Sequence, residues 1–285
     1  MIHRRRVNTN LIAGCIITGL TVFIILVGYF WTPFDPAGMD ASAINAAPGL
    51  PHLLGTDRFG RDTLSRIMQG AGATLRIAFF AVCIGAFAGT LIGGLTGYFG
   101  GILDELIMRL SDAVTAFPSV LLALVAVSIV GRGSDKLILV LGVLFIPSFA
   151  RVVRGEFVKQ QHRDYVKNAR LMGVKDARII FVHILPNISA VLLSSIAIGF
   201  NNAVLAEASM SFLGLGVAPT ESASLGIMLK EAENSLMSAP WQALSAGFSI
   251  AILILGFSLI SEGLGFNGIR SRTSKRRLRL NAENA

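Results

Sequence analysis

YVKNARLMGVKDARIIFVHILP, residues 165–186, is the stretch on which the fold turns. Read as helix, Tyr165, Val166, Ala169 and Met172 share one face at i, i+1, i+4 and i+7, while Lys167, Arg170 and Lys175 lie elsewhere on its surface. Gly173 suits the C′ position that stops a helix, and Asp176 opens the next one. Ile179, Ile180 and Ile184 lead on to Leu185 and Pro186, and a proline there suits the start of a following span. The stretch is basic and amphipathic, yet it sits between two segments apolar enough to cross a membrane. A helical hairpin so placed is exposed, and it offers a handle to a soluble partner.

Outward from that hairpin the chain is greasy. Of 285 residues, 53% are apolar and 15% charged, with a mean hydropathy of +0.66, which excludes an ordinary soluble domain. Uncharged runs cover Leu11–Trp31, Ile77–Leu103, Ala113–Val130, Ile184–Ala206 and Asn234–Ser261. Each meets the roughly 18–20 residues that a bilayer crossing needs. A sixth run, Leu137–Ala150, is only 14 residues long. It becomes a span if Lys136 and Arg151 snorkel to the interfaces, and the topology needs it. The expected architecture is therefore an all-α membrane protein of six transmembrane helices.

With six spans, Lys and Arg number 18 on the side of the hairpin and both termini against 7 on the other, so that side is expected to be cytoplasmic. The net charge of +8 then reads as a membrane-orientation signal, and nucleic acid is not an expected partner. The basic run Arg270–Arg279 reads as a juxtamembrane anchor against anionic lipid. Arg4-Arg5-Arg6 before an apolar run imitates a signal peptide. The run exceeds the usual core of about 7–15 residues, and Ala41-Ser42-Ala43 lies well beyond its end, so a retained first span is expected. Cys15 and Cys83 fall inside spans and are expected as small core residues, not a disulfide pair.

The external segment after span one holds a turn at Thr56/Asp57 and a short helix, with Leu64, Ile67, Met68 and Ala71 as its apolar stripe and Arg61 and Arg66 on its wet side. Asp57 and Asp62 are the nearby partners for those arginines. Span two carries Gly85, Gly89, Gly93 and Gly97, an i+4 ladder that leaves one helix face nearly bare for close packing. Phe117-Pro118 puts a kink in span three.

Catalytic chemistry is not indicated. The sequence has no G-x-x-x-x-G-K-[ST] phosphate loop, so ATP hydrolysis by this chain is not expected. The four histidines are scattered, and neither a metal cluster nor a nucleophile–base pair stands out. Span five is the most polar, with Asn201, Asn202, Glu207, Ser209 and Ser211. A carboxylate there is costly unless it meets a cavity or a partner, so these residues either line a pathway or bond between helices. A secondary carrier would show paired broken helices and midplane carboxylates, of which the chain offers only Glu207, off-centre.

The hairpin resembles the cytoplasmic EAA loop of ABC importer permeases. Ala169, Gly173 and Leu185-Pro186 match that pattern, whereas Lys167 and Asn168 depart from it. Together with LGTDRFGRDTLSR (54–66), GYFGGILDELIMRLSDAVTAFPSVLLAL (97–124) and ASMSFLGLGVAPT (208–220), in that order, residues 10–265 resemble the second permease subunit of the dipeptide/oligopeptide/nickel class of bacterial ABC importers. One departure lies after span five, where Glu221–Leu229 lacks the family's usual tryptophan. The resemblance implies a type I importer permease fold in the cytoplasmic membrane. It implies a transmembrane domain over 72–262 with the coupling loop at 151–187, preceded by residues 1–71 and followed by a basic tail, 263–285. It also implies a homologous permease as heterodimer partner, two ATP-binding subunits that carry the ATP and Mg, and an extracytoplasmic binding protein. Tyr165, Val166, Ala169, Arg170, Met172, Gly173, Leu185 and Pro186 would form the ATPase-coupling loop, with Tyr165, Val166 and Met172 as docking contacts. Peptides are the favoured cargo; nickel, metal chelates, glutathione and opines are the alternatives.

Overall fold

The computed structural model describes residues 9–218 and 223–283, with side chains described as far as residue 264. Arg4-Arg5-Arg6, Glu221-Ser222 and the side chains of the run Arg270–Arg279 therefore lie outside the described residues. The chain folds into helices α1 (Thr9–Phe30), α2 (Thr63–Phe99), α3 (Gly101–Ala116), α4 (Ser119–Val130), α5 (Ser134–Gln161), α6 (Asp164–Leu171), α7 (Asp176–Phe212), α8 (Leu225–Glu233) and α9 (Pro240–Glu283). Among the described residues, five helices are long and apolar enough to cross a bilayer, and the bent pair α3–α4 makes a sixth span. Leu11 of α1 packs against Gly263 of α9, so the first span begins and the last one ends at the same end of the bundle. The hairpin around α6 lies at the end where α2 and α5 finish.

The centre of the bundle is the seam between α2 and α5. A Cβ at Gly85 would stand 2.7 Å from Cβ of Phe145, at Gly89 2.5 Å from Cβ of Phe149, and at Gly97 2.8 Å from the Arg154 carbonyl; at Gly93 it would run into the Ala150 backbone. The ladder of bare backbone thus faces a matching row on α5, and the two helices approach as no pair with side chains at those positions could. Gly142 of α5 returns the fit by receiving Ile84.

Several elements differ from the sequence reading. The external helix is not separate, because α2 begins at Thr63, capped by the Asp62 carboxylate, and runs unbroken to Phe99, so the domain boundary expected at 71/72 falls inside a helix. Ile67, Met68 and Ala71 are buried, and so is Arg66, which was expected on the wet side. Arg66 pairs with Asp57 and, at 2.7 Å, with Glu231, while Arg61 pairs with the same two carboxylates at 2.6 and 2.8 Å. Glu231 sits on α8, a helix capped by Ser224 in what had read as an external loop. Nothing local marked it as a partner for arginines more than 160 residues away. Gln242 of α9 adds a further tie by donating to Asn45 Oδ1 at 2.8 Å and to the Thr56 carbonyl at 2.9 Å.

The expected kink at Phe117-Pro118 is a 91° break. Phe117 is extended, as a residue before proline prefers to be, so α3 ends there and α4 starts afresh. The short run Leu137–Ala150 lies within the first part of the 28-residue α5, whose Arg151 and Arg154 are held by Asp112 and Asp104 on α3. Pro186 falls, as expected, in the first turn of the α-helical stretch Leu185–Phe212, and that stretch continues without a gap from Asp176–Ile184 to make α7. The six residues Ile179–Ile184 are wound as π-helix, with the Leu185 N–H reaching the Ile180 carbonyl five residues back, and the Asn187 side chain bonds the His183 carbonyl at 2.6 Å. That wider turn makes room for the proline ring, whose missing N–H costs the continuous helix one rung. Cys15 and Cys83, expected in the core, are both exposed on the outer faces of their spans.

The seam yields a direct test. Gly93→Val should destabilise the detergent-purified protein by about 3 kcal/mol or prevent insertion, since overpacking against a backbone has no rotamer escape. Gly155→Ala, on α5 where an added Cβ meets nothing within 4 Å, should be neutral or stabilising by about 0.5–1 kcal/mol. Thermal unfolding of the two variants checks both.

Candidate functional site

The hairpin is built from α6, the turn 172–175 and the start of α7. Val166 and Ala169 are buried against Phe157 and Val153 of α5, Tyr98 of α2, and Ile179, Ile180, Ile184 and Ile188 of α7. Burying Val166 alone contributes about 2 kcal/mol, so α6 is pressed onto the bundle and does not swing free of it. Val166 therefore cannot be the docking contact expected of it, because the face it shares with Ala169 points inward. Tyr165 is half-buried, and burial pushes its phenol up from the ordinary value, so it stays a neutral hydroxyl and donates to Gln160 Oε1 at 3.1 Å. Met172 does stand out, 82% exposed, and next to it is Leu171 at 86%, which the helical stripe had passed over. Two large apolar side chains at the tip of a rigid, basic hairpin are the surface it shows to a partner. The signal for Leu171 was present: an apolar residue on an otherwise polar face.

Gly173 has a φ of +73°, and no atom outside its own turn lies within 4 Å of a built Cβ. Its N–H bonds the Arg170 carbonyl and the next N–H bonds that of Ala169, which closes α6 as the sequence suggested. Arg170 folds back from α6 to Tyr98, with its Nε on the Tyr98 hydroxyl at 3.3 Å and its guanidinium over the ring at 4.8 Å. The Tyr98 hydroxyl in turn donates to the Asp176 carboxylate.

The span-five polar residues divide into two sets. Glu207 is fully buried, accepting from Thr74 Oγ1 at 2.8 Å and Ser211 Oγ at 2.6 Å, with Thr74 also receiving the Leu225 N–H. Glu207 thus bonds α7 to α2, braced by Ser211 one turn along its own helix, while Thr74 links the pair to α8, and neither Glu207 nor Ser211 is among the walls of the groove. Asn202 and Ser209 face a groove of about 700 Å³ between the α3–α4 break, α5 and α7, with Thr115, Phe117, Pro118, Phe145, Ser148 and Ser195 in its walls. The Ser209 and Ser195 hydroxyls turn back to their own helix carbonyls at 2.7 and 2.9 Å, which leaves Asn202 as the exposed amide of that wall. Asn201 has a buried Oδ1 without a partner and is not in the groove lining. Among the described residues no group of three His, Cys, Asp or Glu side chains is placed to hold a metal.

Six apolar passes around a largely apolar groove that carries a few hydroxyls and the Asn202 amide, with a seated hairpin beyond their ends, define a multi-pass membrane transport subunit. Residues 89–265 match the family described as binding-protein-dependent transport system inner membrane component, and the chain belongs to that family as an ABC permease of the dipeptide/oligopeptide type. It is 37% identical over 257 residues to the dipeptide transport system permease protein DppC of Alkalihalophilus pseudofirmus, covering 90% of this chain and 84% of the relative. Against the glutathione transport system permease protein GsiD of Pectobacterium atrosepticum it is 38% identical over 253 residues, 86% of this chain and 83% of that one. Haemophilus influenzae DppC is 36% identical over 263 residues, 90% and 89% of the two chains. The chain is thus a multi-pass inner-membrane component of a transporter whose family works with ATPase and substrate-binding components.

The positive φ at Gly173 predicts an ordered response to substitution. Gly173→Val should destabilise by about 1–2 kcal/mol from backbone strain alone, and Gly173→Asn by clearly less, because asparagine tolerates the left-handed region. Chemical denaturation of the purified variants measures the difference.

Proposed function

We propose that this chain is one of two homologous permease subunits of an ATP-driven importer of peptides, with both termini and the α6 hairpin in the cytoplasm. The reading has four partners: the second permease, two ATP-binding subunits that supply the ATP and Mg chemistry, and an extracytoplasmic binding protein. It assigns no cofactor to this chain. Leu171 and Met172, exposed on a hairpin whose other face is locked into the bundle, are the observation that carries it. An apolar tip on a basic, water-exposed element has no lipid to cover it, and a groove on an ATP-binding subunit would. Closure of the ATP-binding subunits then pushes on α6. Because α6 is packed on α5 and α7, the push reaches the spans that wall the groove. The groove, with Asn202 and Ser209, is this chain's half of the passage, completed by the second permease. The basic excess on the hairpin side supports the assigned orientation.

Peptide cargo is supported by two relatives whose names specify dipeptide transport. Glutathione, a tripeptide, is the second reading, supported by a relative named for its transport at comparable identity.

Docking is tested by Leu171→Asp with Met172→Asp. The double variant should insert normally but lose the ATP-binding subunits on co-purification, since charge at an apolar anchor costs about 2 kcal/mol or more. Undiminished capture of those subunits contradicts the assignment. For the passage, Asn202→Trp should abolish uptake of the cargo with the complex intact; unchanged uptake removes the groove from the pathway.

A further inference from the structure

Packing alone would seat the hairpin, yet a polar cluster is added to it. Tyr98 is the penultimate residue of α2, one residue after Gly97, the last rung of the glycine ladder. Its ring is 5% exposed, and its hydroxyl sits between two elements of the hairpin, donating to Asp176 at the head of α7 and receiving the Arg170 Nε of α6 at 3.3 Å. The Arg170 guanidinium lies over the same ring, 4.8 Å from its centre. One side chain of α2 therefore holds both limbs of the hairpin. The rung before it, Gly97, lies against the Arg154 backbone and Phe157 of α5, and Arg154 is itself clamped by both oxygens of Asp104 at 2.6 Å each.

These contacts form a chain with no slack. Hydrogen bonds and a cation over a ring are directional, whereas the isoleucines beneath α6 could slide past one another. A sideways push on α6 delivered through apolar contacts alone would be partly absorbed. Delivered through Tyr98, it moves the end of α2, and the glycine seam obliges α5 to follow because the bare face of α2 rests directly on the α5 backbone and the Cβ atoms of Phe145, Phe149 and Phe157, with no flexible side chain between them.

We propose that the Tyr98 hydroxyl is a positioning pin that makes the α6–α7 hairpin and the inner end of α2 one moving body, so that motion of the ATP-binding subunits reaches the groove through α2 and α5. This rests on the assignment of α6 as the docking element. Tyr98 touches neither nucleotide nor cargo; it acts by holding Arg170 and Asp176.

The test uses the complete transporter in nanodiscs, with Cys15→Ser and Cys83→Ser as background and Asn202→Cys as a reporter. The measured quantity is the rate of maleimide labelling of the reporter with and without ATP and vanadate. Tyr98→Phe keeps the ring under Arg170 and removes the hydroxyl. It should retain the ATP-binding subunits and their hydrolysis but shrink the ATP-dependent change in labelling by roughly fivefold, the factor that a lost hydrogen bond of about 1 kcal/mol gives. Asp176→Asn, which keeps an acceptor, should behave as the parent. Tyr98→Cys combined with Asp176→Cys should lose the change when reduced and recover it when bridged by a short bis-thiol reagent. A merely structural contribution of Tyr98 would not give that recovery. A full labelling change in Tyr98→Phe, or no recovery on bridging, overturns the pin. Leu171→Asp with Met172→Asp separates the two assignments: if that variant keeps the ATP-binding subunits, the docking reading fails whatever Tyr98 does, and if it loses them while Tyr98→Phe is normal, the pin alone fails.

Discussion

Helices in a bilayer gain little from hiding apolar surface from each other, because lipid tails are as apolar as leucine. What joins them is contact density and the polar groups that lipid cannot satisfy. In this chain the densest contact is between α2 and α5, where Gly85, Gly89, Gly93 and Gly97 bring backbone against backbone. Several other elements are tied directly to that pair, while α9 packs chiefly on α1 and α7. The α3–α4 limb is tied to α5 by Asp104 and Asp112, α7 meets α2 through Glu207 and Thr74, and the hairpin rests on the ends of both helices. A bulkier residue in the seam would disturb each of these attachments.

The two ends of the bundle are fastened differently. At the end away from the hairpin, Asp57, Arg61, Arg66 and Glu231 form a largely buried ionic cluster that fixes the segment before α2 to α8. Removing one partner from such a cluster leaves an unmatched charge, which commonly costs about 3–5 kcal/mol, so this end is held as a unit. At the hairpin end the fastening is apolar beneath α6 and polar at Tyr98. Between the ends lies a groove whose walls include a helix broken at Phe117-Pro118. A bundle clamped at both ends and broken in the middle is suited to opening on one side and then the other.

How much of this was legible depended on the range of the interactions. Span count, the glycine ladder and the Gly173 stop are local patterns, written in the spacing of residues along one helix. The broken third span was half legible, since Pro118 announced a kink but not its 91° size. Burial of Arg66 was not legible, because its partner Glu231 lies far along the chain on a helix that read as loop. The hairpin shows the same limit. The stripe through Val166 and Ala169 was read correctly as apolar, but periodicity does not say whether a stripe faces inward to the protein or outward to a partner. The structure turns it inward and leaves Leu171 and Met172 outside. Glu207 and Asn202 share a helix and looked equivalent; five residues of helical rotation put one in the core and the other on the groove.

The central claim is that this chain is a passive half-channel, set in motion by ATP hydrolysed elsewhere and applied at its hairpin. Reconstitution measures that most directly, with solute flux into liposomes followed for this chain alone and for the assembled transporter supplied with binding protein and ATP. The account predicts no flux from the isolated chain under any ion gradient, and ATP-dependent flux from the assembly. Gradient-driven flux by the chain on its own would contradict it.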